Sequence, residues 1–132
     1  MTTTPTTPTR HALHWFEIPV RDMDRAQAFY EALLGTRLRR ENIGAQTLAV
    51  FDYAEAGGVG GCLILGEAGP EPSRQGTLVY LGAEPSLDAV LARVEALGGH
   101  ITTPKVKLPG DMGCFAHVSD SEGNRIGLHA AD

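Results

Sequence analysis

Trp15 and Glu17 stand two residues apart in the run Ala12–Val20 (ALHWFEIPV), so a strand there turns both to one face and Phe16 and Ile18 to the other. A carboxylate on an otherwise apolar strand costs free energy unless it is hydrated or paired. Two readings of Glu17 follow: a group beside a bound ligand, acting as a base with a raised pKa, or a solvated carboxylate at a cavity mouth, paired with an arginine. His117, Arg125 and His129 form a second set near the end of the chain. If Ser119 pairs with Arg125 across the turn Asp120–Asn124, His117 sits opposite Gly127, and Arg125 and His129 share that face. Glu17, His117 and His129 are thus the candidate catalytic residues. Together they have the donor types of a facial metal site, but no pair has diagnostic metal-ligand spacing, and the plainer reading is a set of single hydrogen-bonding or surface histidines. His14 falls on the opposite strand face from Trp15, and His11 and His100 read as solvent-exposed.

Other chemistry is thinner. Cys62 and Cys114 lack CxxC spacing and read as buried, reduced thiols. Gly57-Gly58 and Gly60-Gly61 resemble a phosphate loop only in composition, so a flexible hairpin loop over a pocket is expected. Asp120–Asn124 (DSEGN) is too short for an EF-hand and reads as a turn. Phe115 is assigned to core packing, with an inward aromatic wall beside Trp15 as the alternative.

The elements that must position these groups come in two similar sets. The first strand leads to Asp22, an N-cap, with Arg25 where a capping box would want Glu. Met23, Ala26, Phe29, Tyr30, Leu33 and Leu34 recur at helical spacing, and Gly35 stops the helix. Strands are expected at Thr36–Arg40, Gln46–Asp52 and Gly61–Leu65. Residues 66–76 are turn chemistry throughout and read as a linker. The pattern then restarts: a strand at Thr77–Gly82, a helix opened by Ser86 or Asp88 and stopped by Gly98-Gly99, then strands at His100–Thr103, Gly113–Val118 and Asn124–His129. Laying Tyr30–Gly35 (YEALLG) over Val94–Gly99 (VEALGG) gives an offset of 64 residues. One such module cannot cover its own sheet, whereas two side by side can curl their strands into a shared concave surface.

The expected organisation is a disordered tail over residues 1–10 and a single domain over 11–132, with module one at 11–65, the linker at 66–76 and module two at 77–132. Its 132 residues, 42% apolar and 20% charged, suit one core of an ordinary globular domain. A net charge of −5 without a Lys/Arg cluster argues against nucleic acid as partner. No apolar run approaches a membrane span, and the tail lacks a signal-peptide core, so a soluble cytoplasmic protein is expected.

Two segments carry a resemblance. Trp15–Gly35 (WFEIPVRDMDRAQAFYEALLG) and Asp120–His129 (DSEGNRIGLH) resemble the vicinal oxygen chelate superfamily, which holds glyoxalase I, bleomycin-resistance proteins and extradiol dioxygenases. Nearest in flavour are small bacterial proteins loosely called glyoxalase-related. The resemblance implies an α+β fold, with two βαβββ modules forming a cupped mixed sheet and helices outside. It also implies frequent homodimers and a divalent metal held by His, Gln or Glu at four strand positions. By that resemblance the first ligand lies seven residues before Asp22, at Trp15, and its repeat mate is Val79. The last falls on Gly127 in Gly123–Leu128 (GNRIGL), and its counterpart in Gly60–Leu65 (GGCLIL) is Ile64, or Leu63 if the register slips by one. None of these side chains offers a lone pair suited to a divalent ion.

The expectation is therefore a metal-free protein that binds a small organic ligand in a concave pocket, with no cofactor. Trp15, Glu17, Ile64, Val79, His117, Arg125 and Gly127 would line that pocket. The alternative is a lyase, isomerase or dioxygenase-type enzyme that uses Glu17 with His117 or His129, with a displaced divalent metal as an option. A regulatory module with a vestigial cavity is the third reading.

Overall fold

The computed structural model describes residues 11–67 and 69–132. The expected tail lies outside the described residues. Module one runs β1 (Trp15–Pro19), α1 (Met23–Leu34), β2 (Leu38–Ile43), β3 (Gln46–Phe51) and β4 (Gly60–Leu65). Module two runs β5 (Tyr80–Gly82), α2 (Leu87–Val94, extended by a short 3-10 turn, Glu95–Leu97), β6 (His100–Lys107), β7 (Cys114–Ser119) and β8 (Arg125–Ala130). The two sheets have matching orders, β1-β4-β3-β2 and β5-β8-β7-β6. In each, the edge strand before the helix pairs parallel with the last strand, and every other pairing is antiparallel. This is the doubled βαβββ arrangement expected from the sequence.

Alternation sorts the strands as required for a half-buried sheet. Ile18, Leu63, Leu81, Ala116, Val118, Ile126 and Leu128 face the helices and join Met23, Ala26, Phe29, Tyr30 and Leu33 of α1 and Leu87, Val90 and Val94 of α2 in one core. Each large apolar side chain so buried stabilises the fold by about 1.5–3 kcal/mol before chain entropy is counted. A smaller cluster, Leu48, Val50, Cys62 and Ile64, lies on the other face of module one. Helix α1 ends at Gly35, whose φ of 64° is the left-handed cap that glycine adopts without strain.

Strand boundaries differ from the sequence reading most at β2, which runs Leu38–Ile43 rather than Thr36–Arg40, and at β5 and β6. Strand β6 runs on through Pro104, where the reading ended it. It is an edge strand, which tolerates a missing N–H, and its register against β7 shifts between Thr103 and Val106. Strand β5 is shorter, beginning at Tyr80, although the Val79 carbonyl still accepts the Gly127 amide of β8. Gly60 joins Gly61, the expected start of the strand, in β4, so neither lies in the hairpin loop. A Cβ on Gly60 would strike the Tyr53 ring and one on Gly61 the Phe16 ring, so both glycines make room for aromatics.

The halves are joined through the turn Asp120–Asn124, where Asp120, Glu122 and Asn124 are all buried. Asp22 caps α1 by accepting from the Arg25 amide at 3.0 Å. The reciprocal acceptor comes from the other module: Glu122 Oε1 takes the Arg21 and Asp22 amides, both at 2.9 Å. The Arg25 side chain grips the same carboxylate at 2.7 and 2.9 Å. A capping box is thus split across two modules. Asn124 Nδ2 donates to the Pro19 carbonyl at 2.8 Å, and Arg93 of α2 donates to the Leu33 carbonyl at the end of α1 at 2.8 Å. Among the described residues no helix is long and apolar enough to cross a membrane.

Candidate functional site

Strand β1 turns Trp15 and Glu17 away from the core, as alternation requires. Glu17 is paired in register with Cys62 on β4, and Pro19 with Ile64. Trp15 is 40% exposed, with its ring edge-on to Tyr53 at 6.4 Å between centroids. Cys62 and Cys114 are both free and buried. Burial first, and then the nearby Glu17 carboxylate, push the Cys62 thiol up to about 11, which leaves it unreactive near neutral pH.

The equivalent face of module two is aromatic and basic. Ser119 pairs with Arg125, so His117 lies opposite Gly127 and Phe115 opposite His129. His117 Nε2 is 2.8 Å from Tyr80 Oη, and its Nδ1 is 3.1 Å from Thr103 Oγ1 and 3.3 Å from Arg125 Nη2. Burial, followed by the Arg125 charge, lowers the His117 pKa and keeps the imidazole neutral. Phe115 packs on Tyr80 and His117 with centroids 6.1 and 5.3 Å away. It lies outside both buried clusters, so its assignment to core packing is corrected: Cys114 and Ala116 on either side face the core, which turns Phe115 the other way.

Val79 does not occupy the place its repeat count implied. The residue opposite Gly127 is Tyr80, while Val79 packs against the main core and its carbonyl accepts the Gly127 amide. The offset of 64 holds for the helix caps, Asp22 and Ser86, but the strand-end amides of Val20 and Ala83, which bond the equivalent carbonyls of Ile64 and His129, are 63 apart. One extra residue between β5 and α2 therefore flips the strand face. Tyr80 corresponds to Glu17, Leu78 to Trp15 and Gly127 to Cys62. The expectation that Ile64 is the counterpart of Gly127 is thus corrected: Ile64 answers to His129. His129 is exposed, with Nε2 2.7 Å from the Met112 carbonyl, and is separated from Gly127 by a full pleat.

Two clefts adjoin these faces. One, of about 260 Å³, is bordered by Glu17 and Pro19 of β1, Val79, Asn124 and Arg125, and by Glu71, Ser73 and Gln75 of the linker. The linker is thus a wall of the cleft: Ser73 donates its amide to Asn124 Oδ1 at 3.1 Å, and its carbonyl accepts the Arg125 amide. The other, of about 350 Å³, lies between the modules, where Phe16, Leu34, Phe51 and Leu81 of the helix-side core line it and Tyr53 and Tyr80 border it. Sequence reasoning missed Tyr53, Tyr80 and the linker residues. The paired glycines of β4 and Gly127 were the available signal, since a bare position on a central strand marks the close approach of another group.

The model of the glyoxalase/bleomycin resistance protein/dioxygenase superfamily matches residues 12–128. The chain belongs to this superfamily. It is 33% identical over 116 residues to the protein named "Putative glyoxylase CFP32" of Mycobacterium bovis and Mycobacterium tuberculosis, covering 84% of this chain and 41% of that protein. It therefore spans about two fifths of the length of the curated relatives it matches. A glyoxylase/bleomycin resistance protein/dioxygenase domain from Frankia sp. EAN1pec superposes with a TM-score of 0.66 at 21% identity, covering 94% of this chain and 93% of that one. TnmS3, an antibiotic binding protein from Streptomyces sp. CB03234, superposes with a TM-score of 0.64 at 23% identity, covering 94% and 98%. These likenesses carry the fold.

The superfamily's divalent ion does not fit the side chains at the positions that the resemblance assigns to it. An indole (Trp15), its mate by the observed register, Leu78, and a bare glycine (Gly127) stand there. The counterpart of Gly127 is the buried Cys62 thiol rather than Ile64 or Leu63. Among the described residues no three His, Cys, Asp or Glu side chains gather where they could hold a metal.

Proposed function

We propose that this superfamily member binds a small organic ligand with an aromatic portion at the helix-free faces of its sheets, without the divalent ion of its relatives. The observation that carries the reading is an exchange of side-chain types. Positions assigned to metal ligands offer at most one buried thiol, Cys62, while Tyr53 and Tyr80 border the cleft between the modules and Trp15 and Phe115 pack against those two rings. Ring faces bury large area with little entropy loss, which suits a flat ligand. A structural neighbour called an antibiotic binding protein is in keeping with this reading. Native mass spectrometry with elemental analysis of freshly purified protein tests it: an organic adduct or free protein is expected, and a divalent metal at one per chain would overturn it.

A second reading, an enzyme moving a proton with Glu17, draws on the carboxylate bordering the 260 Å³ cleft together with Arg125. His117 is its companion in that reading. His129, bonded to the Met112 carbonyl, is a poorer one. Full turnover of an identified substrate by both Glu17→Gln and His117→Ala would exclude this reading. A homodimer, as the superfamily resemblance implies, belongs to the same proposal and is checked by sedimentation.

A further inference from the structure

The neighbours of His117 decide which of its nitrogens carries the proton. Arg125 Nη2 lies 3.3 Å from Nδ1, and a guanidinium can only donate, so Nδ1 must present its lone pair. Thr103 Oγ1, 3.1 Å from the same atom, then donates its hydroxyl proton as well. The ring proton is left on Nε2, where it is donated to Tyr80 Oη across 2.8 Å. The phenol oxygen accepts from the imidazole, so its own O–H points elsewhere. Tyr80 is 47% exposed and borders the cleft between the modules, so its hydroxyl hydrogen is available to a partner from outside the protein. The ring is held over Gly127, where any Cβ would run into it, and against Phe115. A neutral donor, fixed in direction, thus stands over the strand position where the resemblance places a metal ligand.

We propose that Tyr80 Oη is the polar anchor of the ligand site, donating its hydrogen bond to a carbonyl oxygen on a planar aromatic ligand. This rests on the binding function proposed above and names its ligand class: aryl carbonyl compounds. A ligand of the same shape lacking the oxygen would bury the Tyr80 hydroxyl without a partner, a loss of about tenfold in affinity or more. Arg125 acts through His117 as a positioning residue. Without its charge, Nδ1 is free to take the proton and donate to Thr103, and Nε2 then accepts from Tyr80 and uses up the hydroxyl.

Equilibrium dialysis with two probes of nearly equal shape tests this: methyl 2-naphthyl ketone, and 2-isopropenylnaphthalene, in which a CH₂ replaces the oxygen. The wild-type protein is expected to hold the ketone about tenfold more tightly. Tyr80→Phe, checked for folding by its melting curve, should lose the preference for the ketone, with ketone binding weakened and hydrocarbon binding no weaker than in wild type. Arg125→Met should also weaken the preference for the ketone over the hydrocarbon, which keeps the test open if Tyr80→Phe does not fold. Equal affinities in wild type, or a preference that survives both substitutions, would overturn the donor assignment and leave the binding function standing. Retention of neither probe would overturn both.

Discussion

Glu122 completes the N-cap of a helix that belongs to the other half of the chain, its Oε1 accepting the Asp22 amide at 2.9 Å. The Arg25 guanidinium holds the same carboxylate, which is fully shielded from solvent. Burial alone would raise the Glu122 pKa. Hydrogen bonds from Arg25, the Arg21 and Asp22 amides and Ser121 outweigh it and lower the pKa from 4.5 to about 2. Because the folded value lies below the unfolded one, this stabilisation is complete above about 4.5 and is lost as pH falls toward 2. Glu122→Gln is expected to cost ~2 kcal/mol at neutral pH and to flatten the acid limb of stability against pH. Urea unfolding across that range checks both.

Asp120 is the second part of the clasp. It accepts the Tyr30 hydroxyl at 2.6 Å, the Glu122 and Asn124 amides at 2.9 and 2.8 Å, and Asn124 Nδ2 at 3.0 Å. Asp120→Ala strands several buried donors and is expected to destabilise by about 3 kcal/mol or more. Tyr30→Phe removes one bond and leaves the carboxylate well satisfied, so it should cost roughly 1–2 kcal/mol. The order of the two midpoints in chemical denaturation is the readout.

Gly127 has no room for a side chain beneath the Tyr80 ring. Gly127→Ala should cost about 1–3 kcal/mol through overpacking and break the Tyr80–His117 hydrogen bond. Thermal melting reports the first effect, and the pH titration of the His117 ring protons by NMR reports the second.

The Cys62 thiol lies under Glu17 in a buried apolar cluster. At pH 8 it should resist aromatic disulfide reagents in the folded protein and react fully on unfolding. Mass spectrometry of the labelled chain distinguishes it from Cys114.

The doubled module was legible because its signals are local. Helical spacing from Met23 to Leu33, the Asp22 and Ser86 caps and the alternation of β1 each act within a few residues, and tertiary packing reinforces them. The site was less legible because it depends on strand face. One extra residue ahead of α2 makes Leu78 the mate of Trp15, turns Val79 to the core and Tyr80 to the open face, and no propensity records such an insertion. Phe115 read as core because an aromatic in a strand is ordinarily buried. Here its partners are another ring and an imidazole on the open face. Glu122 read as part of a plain turn, because its partners lie about 100 residues away in the chain.

The central claim is that ligand binding here needs no divalent ion, and it meets its most direct test in one titration. Methyl 2-naphthyl ketone is titrated by calorimetry into protein dialysed against EDTA, and again after adding Mn²⁺, Ni²⁺ or Zn²⁺. The expected result is one affinity for all four samples. Binding that vanishes in EDTA and returns with a stoichiometric ion would contradict the account.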